Sequence, residues 1–243
     1  MEGTDIAATA AVEERHWWYR ERRSIIARQV RRLGAPGRAV EIGAAGGGNS
    51  LVLRRLGWQV LATEYLPEGV AIARDRGLDA VRADARSLPV ASGSMDLALA
   101  FDVLEHIEED DLAAAELHRV LRPGGTLLVA VPCDMALWSA HDVASGHVRR
   151  YTRAGLAGLV ARAGFAVEAL WSWNVLLRPA VALARRRASG CSVTKVNPLA
   201  NALFGGVVAA ERLLPLGGLP GVSLMLRARR PDALRTLTAG FLD

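Results

Sequence analysis

The sequence predicts an α/β protein, a parallel sheet with helices on both faces. Two observations lead to this class. Short apolar runs alternate with segments of helical period, and a glycine-rich loop directly follows the first apolar run. The 243 residues suffice for one sizeable core with additions. Since ligands of such sheets bind where the strand order reverses, we expect a ligand beyond the carboxyl ends of the first and fourth strands.

The individual elements follow from the hydrophobic pattern and the turn residues. Residues 13–33 predict a first helix, because Ile26, Val30 and Leu33 recur at helical spacing. The stretch 122–125, Arg-Pro-Gly-Gly, predicts a turn into the fifth strand. Strands are expected at 38–42, 58–63, 79–83, 95–101, 125–131, 165–171 and 222–229. Helices are expected at 48–56, 67–76, 110–121, directly after Ala154, at 174–187 and at 197–214.

Composition restricts the class of partner and the compartment. The net charge of +5 raises the question of a nucleic-acid or anionic-membrane partner, but almost all basic residues are arginine, a bias that genome composition also produces. No stripe of interleaved aromatic and basic residues is present, so nucleic acid is not expected as a partner. Cys133 and Cys191 fit no metal spacing or disulfide framework, which favours a cytoplasmic location. The acidic N-terminus does not read as a signal peptide.

Acidic residues end the first three strands, and the first is followed by glycines. Glu41 precedes the loop that contains Gly43, Gly46 and Gly47. Glycines permit close approach of a ligand to the backbone, and the start of the next helix offers free N–H groups to a carboxylate. Glu64 and Asp84 end the next two strands, and an acid about twenty positions after such a loop, as Glu64 is, suits ribose hydroxyls.

The loop resembles motif I of the class I S-adenosylmethionine (SAM) methyltransferases, with Ala45 in place of the middle glycine. Residues 101–107 and 116–125 resemble the ubiquinone-biosynthesis group, methyltransferase type 11. The resemblance covers 38–171 and implies a Rossmann-like, seven-stranded, mostly parallel sheet with an antiparallel last strand. A nicotinamide site would need Gly-x-Gly-x-x-Gly, which the loop lacks. The resemblance implies SAM as cofactor, contacted by Glu41, Gly43, Ala44, Ala45, Gly46, Gly47, Glu64, Tyr65, Asp84, Ala85, Phe101, Tyr19 and Arg23.

Methyl transfer needs alignment, and it needs a base only if the acceptor loses a proton. The candidate bases are His147, His141 and His106. The candidate acceptor contacts are Trp138, Arg150 and Tyr151, which lie after the fifth strand. Residues 102–106 also resemble an acidic-x-x-Glu-His arrangement that binds a metal in quinone-precursor O-methyltransferases, but we assign no metal ligand.

The chain is interpreted as a single domain, 1–243, with several additions to its core. The core, 38–171, is preceded by a helical lid at 1–37. It is followed by an insertion at 172–220, the last strand at 221–230 and a tail at 231–243. The insertion contains a run of arginines beside apolar helical segments. It is therefore predicted to be a substrate cap, a dimer face or a surface that contacts a membrane. The chain is expected to be a monomer or a homodimer.

The sequence therefore predicts transfer of a methyl group from SAM to a small-molecule acceptor. We expect the acceptor atom to be an oxygen, in bacterial secondary or cell-envelope metabolism. The alternatives are C-methylation of a quinone-like or polyprenyl acceptor and a non-catalytic partner subunit with the same fold. RNA methylation is a further rival, which a steep salt dependence of RNA binding would support.

Overall fold

The computed structural model describes residues 3–187 and 197–232, and it contains a seven-stranded sheet. The strands are β1 Arg38–Ile42, β2 Gln59–Glu64, β3 Asp79–Arg82, β4 Met95–Phe101, β5 Leu121–Pro132, β6 Ala166–Trp173 and β7 Ser223–Arg229. Their order across the sheet is β3-β2-β1-β4-β5-β7-β6. Strands β1 to β5 are parallel, whereas β7 runs antiparallel to both β5 and β6. The predicted fold class and the antiparallel last strand are confirmed.

The helices lie before, between and after these strands. They are α1 Gly3–Val12, α2 Trp17–Val30, α3 Gly48–Arg55, α4 Pro67–Asp75, α5 Asp110–Val120, α6 Ala140–Ala144, α7 Arg153–Arg162, α8 Arg178–Arg187 and α9 Pro198–Glu211. The predictions for Cys191 and for the tail beyond residue 232 fall outside the described residues. No helix in 3–187 or 197–232 is long and apolar enough to cross a membrane.

Strand β4 shows how the sheet is buried on both faces. Its side chains alternate, so that Leu97 and Leu99 join the cluster beneath α2, while Ala98 and Ala100 join the cluster beneath α5 and α7. All four side chains are fully buried, as expected of a parallel sheet covered by helices on each side. The order reverses between β1 and β4, which places the carboxyl ends of these strands at the switch point.

Two predicted boundaries are wrong. The single helix expected at 13–33 is broken before α2, where the side chain of His16 accepts a hydrogen bond from the Trp18 N–H and so caps a new helix. Asn201 of α9 stabilises the same break from outside, accepting from the Trp17 N–H and donating to the Arg15 carbonyl. The predicted turn at 122–125 lies within β5, as an irregularity of register against β4.

Helices α8 and α9 occupy the insertion between β6 and β7. Helix α9 packs on α2, where the rings of Phe204 and Trp17 lie 5.7 Å apart edge to face. The opposite side of α9 is open, since Leu199 and Leu203 are 82% and 64% exposed. The insertion therefore adds a layer over the N-terminal helices rather than extending the sheet.

Candidate active site

The glycine-rich loop makes a tight left-handed turn between β1 and α3. Gly43, Ala45 and Gly47 have φ values of 60°, 47° and 80°. A side chain at Gly43 would collide with Val103, and one at Gly47 would collide with Leu78. Ala45 adopts a left-handed conformation that is uncommon for a non-glycine residue.

Glu64, at the end of β2, holds this turn in place. Its Oε2 accepts a hydrogen bond of 2.8 Å from the Ala45 N–H, and its Oε1 accepts one of 3.0 Å from the Leu66 N–H. A carboxylate oxygen has two lone pairs, so both oxygens keep capacity for a ligand hydroxyl. The carboxylate is thus fixed in orientation and still able to bind.

Glu41 points into the protein. Its oxygens accept hydrogen bonds from Asn49 Nδ2 at 2.8 Å and from Ser50 Oγ at 2.5 Å, both on α3. Burial raises the pKa of Glu41 to about 7, although the two hydrogen bonds and the charge of Arg22 act in the opposite direction. Glu41 is 1% exposed and does not line either cavity described below, and its contact with the cofactor stays a prediction.

The first cavity has a volume of about 610 Å³ and lies beyond the ends of β2 and β3. Glu64, Tyr65, Asp84 and Ala85 all line it, as the sequence predicts. Asp84 accepts hydrogen bonds from the backbone and the guanidinium of Arg86, which lower its pKa and keep it ionised. Tyr65 is 59% exposed and leaves a ring face open beside the cavity.

These residues fit the adenosine half of SAM. An ionised carboxylate with spare lone pairs suits two ribose hydroxyls, and a second carboxylate one strand away suits an amino group. The turn at Gly43, where a Cβ would already collide with Val103, also keeps the backbone accessible beside the cavity.

The second cavity has a volume of about 450 Å³ and adjoins the first. Gly43, Ala45, Asp102 and His106 line both, so they form the boundary between the two. The second cavity is walled by aromatic side chains and by the glycine loop, together with three further histidines. These residues are Ala44, Gly46, Trp17, Trp18, Tyr19, Phe101, His16, His141 and His147.

The three candidate histidines come together at this cavity. The ring centroids of His106 and His147 are 4.7 Å apart, and those of His141 and His147 are 6.4 Å apart. Burial and then the neighbouring His147 lower the pKa of His106 to about 4. Burial also lowers the pKa of His141. His106 is therefore a weak base, and the arrangement favours His147 for proton transfer.

Asp142 fixes the orientation of His147. The Nδ1 atom of His147 lies 2.9 Å from Asp142 Oδ1, and because a carboxylate only accepts, Nδ1 carries the hydrogen and Nε2 is left as an acceptor. Asp142 is 0% exposed and also accepts hydrogen bonds from Arg150 and Arg185. Burial tends to raise the pKa of Asp142, but the hydrogen bond from His147 and the charge of Arg150 outweigh burial and lower it.

Glu105 is the third member of a close group with His106 and His147, whose nitrogen and oxygen atoms lie within 4.8 Å of one another. Among the described residues, neither carboxylate oxygen of Glu105 has a hydrogen-bond partner, and the residue is 1% exposed. Burial, followed by the charge of Asp102, raises its pKa well above the ordinary value. The group can therefore share a proton or hold a cation.

Some residues predicted for the site do not line either cavity. Arg23 is paired with Glu13, and Gly47 permits helix packing. Arg150 is buried against Asp142, and the Tyr151 hydroxyl donates to Asp110 at 2.6 Å. Together with Glu41 and Trp138, they are absent from the described residues that line the two cavities.

The residues that sequence reasoning missed are Arg22, Asp142 and Arg185. Arg22 forms an ion pair with Asp102 and lies 5.2 Å from the Tyr19 ring. A spacing of three residues puts Tyr19 and Arg22 on one helix face, and this signal was available. Asp142 and Arg185 depend on contacts between distant segments, which no local spacing reveals.

Comparison with known proteins agrees with the fold. Residues 40–129 match the family model described as a methyltransferase domain. A probable S-adenosylmethionine-dependent methyltransferase of Mycolicibacterium smegmatis is 30% identical over 160 residues, 64% of this chain and 62% of the relative. A ubiquinone biosynthesis O-methyltransferase of Xanthomonas oryzae pv. oryzae is 34% identical over 103 residues, 40% of this chain and 43% of the relative. The chain thus matches less than two thirds of the length of these relatives.

A solved structure extends the comparison of the fold. The crystal structure of the [4+2]-cyclase SpnF has a TM-score of 0.60 and 23% identity, with 88% of this chain and 81% of that chain covered. Since one fold hosts different chemistries, the site must carry any argument about function.

The sheet order and the carboxylates at the ends of β2 and β3 define a Rossmann-like domain of the methyltransferase type. Together with the matches in sequence, they make this chain similar to SAM-dependent methyltransferases, with the family model matching residues 40–129.

Proposed function

We propose that the protein transfers a methyl group from SAM to a hydroxyl oxygen of a small-molecule acceptor. The observation that carries this proposal is the pair of adjoining cavities. One presents Glu64 and Asp84, the other presents His147, and both share the boundary at Gly43, Ala45, Asp102 and His106. A donor in the first cavity and an acceptor in the second would meet at this boundary, which supplies the alignment that methyl transfer requires.

SAM, when bound, supplies a methyl carbon that its sulfonium makes electrophilic. The protein's part is to hold both molecules, exclude water and accept a proton. His147 Nε2 receives the proton of the acceptor hydroxyl while the oxygen–carbon bond forms and the sulfur–carbon bond breaks, leaving S-adenosylhomocysteine. Asp142 stabilises the imidazolium that results.

An oxygen acceptor is favoured over the alternatives by the histidine environment and by one relative. Carbon acceptors that are already electron-rich need no base in contact with a hydroxyl, whereas His147 is oriented by a buried carboxylate. The name of the Xanthomonas relative, a ubiquinone biosynthesis O-methyltransferase, supports the same choice. A partner subunit without catalysis would not need this oriented histidine.

We expect Glu64→Gln and Asp84→Asn each to weaken binding of S-adenosylhomocysteine by about 1–3 kcal/mol, because each removes a charged hydrogen-bond acceptor. Isothermal titration calorimetry measures this change. Glu68→Gln serves as the matched control, because Glu68 is exposed at the start of α4 and does not line the cavity. If the wild type does not bind, or if both variants bind like the control, the placement of the cofactor is wrong.

A divalent ion held by Glu105, His106 and His147 would be a second way to acidify the acceptor, and the unpartnered carboxylate of Glu105 favours it. We expect instead that dialysis against EDTA leaves turnover unchanged, because burial favours the neutral form of Glu105. Methyl transfer is assayed before and after dialysis. A loss of activity that Mg²⁺ or Zn²⁺ restores would assign the group to a metal.

A further inference from the structure

Helix α8 of the insertion forms part of the wall of the second cavity. Val181 and Arg185 both line it, as expected of residues four apart on one helix face. This segment lies between the last two strands, β6 and β7, outside the part of the chain that forms the glycine loop and the carboxylates of the first cavity. Its contribution therefore concerns the acceptor side of the site.

Arg185 is not needed to neutralise the carboxylate that it touches. Arg150 already pairs with Asp142, through Nε at 2.9 Å and Nη2 at 2.8 Å, and its side chain is 0% exposed. Arg185 reaches Asp142 with one atom only, Nη1, at 3.1 Å, and the same atom lies 3.3 Å from the Leu137 carbonyl. Among the described residues, none accepts a hydrogen bond from Nε or Nη2 of Arg185.

The other ionisable groups at this cavity either form ion pairs or favour the uncharged form. Arg22 pairs with Asp102, and Glu13 pairs with two arginines. Burial, then the charge of Asp102, raises the pKa of Glu105 and favours its uncharged form. The guanidinium of Arg185 is thus a surplus positive charge with two unengaged groups, in a cavity that has several aromatic side chains in its wall.

A guanidinium with free N–H groups and partial burial binds a carboxylate in preference to a neutral group. The side chain of Arg185 is 18% exposed, so the pair would be largely shielded from water. A cavity of about 450 Å³ with tryptophan and tyrosine walls suits a ligand with one aromatic ring.

We propose that Arg185 binds a carboxylate on the methyl acceptor, so that the insertion selects hydroxylated aromatic acids over their neutral counterparts. This inference rests on the proposed function. The carboxylate lies against Arg185 and the ring lies between the aromatic walls, with the hydroxyl directed to His147. The carboxylate itself undergoes no reaction.

The test compares two probes of the same ring, 3,4-dihydroxybenzoate and catechol, which differ only in the carboxylate. Binding of each to the protein saturated with S-adenosylhomocysteine is measured by calorimetry. We expect the wild type to bind the benzoate about tenfold or more tightly than catechol, as for a charged hydrogen bond, and Arg185→Gln to lose this preference. Arg185→Lys should retain part of the preference for the benzoate, because the positive charge stays while the planar pair of N–H donors of the guanidinium is lost.

Arg186→Gln is the matched control, because Arg186 is the exposed neighbour on the same helix and does not line the cavity. It should keep the full preference. Affinity for S-adenosylhomocysteine should be equal in the wild type, Arg185→Gln and Arg186→Gln. Equal binding of both probes by the wild type, or an undiminished preference in Arg185→Gln, would overturn the inference. Failure of the wild type to bind S-adenosylhomocysteine would instead refute the proposed function.

Discussion

Replacing His147 with glutamine is expected to lower kcat by about 10²–10⁴-fold, the usual contribution of a positioned general base. The side chain of glutamine is similar in reach, but it cannot accept the proton of the acceptor hydroxyl. Affinity for S-adenosylhomocysteine should stay the same, because His147 lies at the second cavity and is absent from the wall of the first. Formation of S-adenosylhomocysteine with 3,4-dihydroxybenzoate as the probe acceptor measures the effect.

A second acceptor separates proton transfer from packing. 4-Nitrocatechol loses a hydroxyl proton more easily than catechol does, so the defect of His147→Gln should shrink with it. His141→Gln is the companion variant, since burial lowers the pKa of His141 and its ring lies 6.4 Å from that of His147. It should cost much less activity. If His147→Gln lowers kcat equally with both acceptors, or if His141→Gln lowers kcat more than His147→Gln does, His147 is not the base.

The cofactor half of the site could be predicted because it depends on local order along the chain. In a parallel sheet, successive strands end at the same edge, so Glu64 and Asp84 had to lie near the glycine loop. The same reasoning placed Glu41 at this edge but not its orientation. That orientation depends on Asn49 and Ser50 of α3, which turn the carboxylate inward through hydrogen bonds.

The acceptor half depends on contacts between distant segments, and sequence reasoning identified its histidines but not their supports. The break between α1 and α2 involves Asn201, which lies 184 residues from Trp17 along the chain. Asp142 accepts a hydrogen bond from Arg185, which lies 43 residues further along the chain. The apolar residues at helical spacing, Ile26, Val30 and Leu33, all lie after the break, and no period in the sequence marks either of these pairings.

Asp142→Asn is expected to lower the free energy of unfolding by about 3–5 kcal/mol, the cost of leaving a buried charge without its partner. The Arg150 side chain is 0% exposed, and Asp142 supplies its only carboxylate among the described residues. Neutral asparagine would leave this guanidinium uncompensated in a place that water does not reach. Urea denaturation at neutral pH, followed by circular dichroism, measures the change.

The matched control is Asp134→Asn, in the same loop, which breaks the more exposed pair of Asp134 with Arg178. Asparagine tolerates the positive φ of 67° at this position, so the loss should be at most about 1 kcal/mol.

The pH dependence of unfolding gives an independent check on the contribution of Asp142 to stability. Because the folded state lowers the pKa of Asp142, its contribution is present above the ordinary aspartate pKa and disappears as the pH falls through the lowered value. The stability difference between the wild type and Asp142→Asn should therefore narrow in acid. A difference that is small at neutral pH, or that widens in acid, would mean that Asp142 does not stabilise Arg150 as an ion pair.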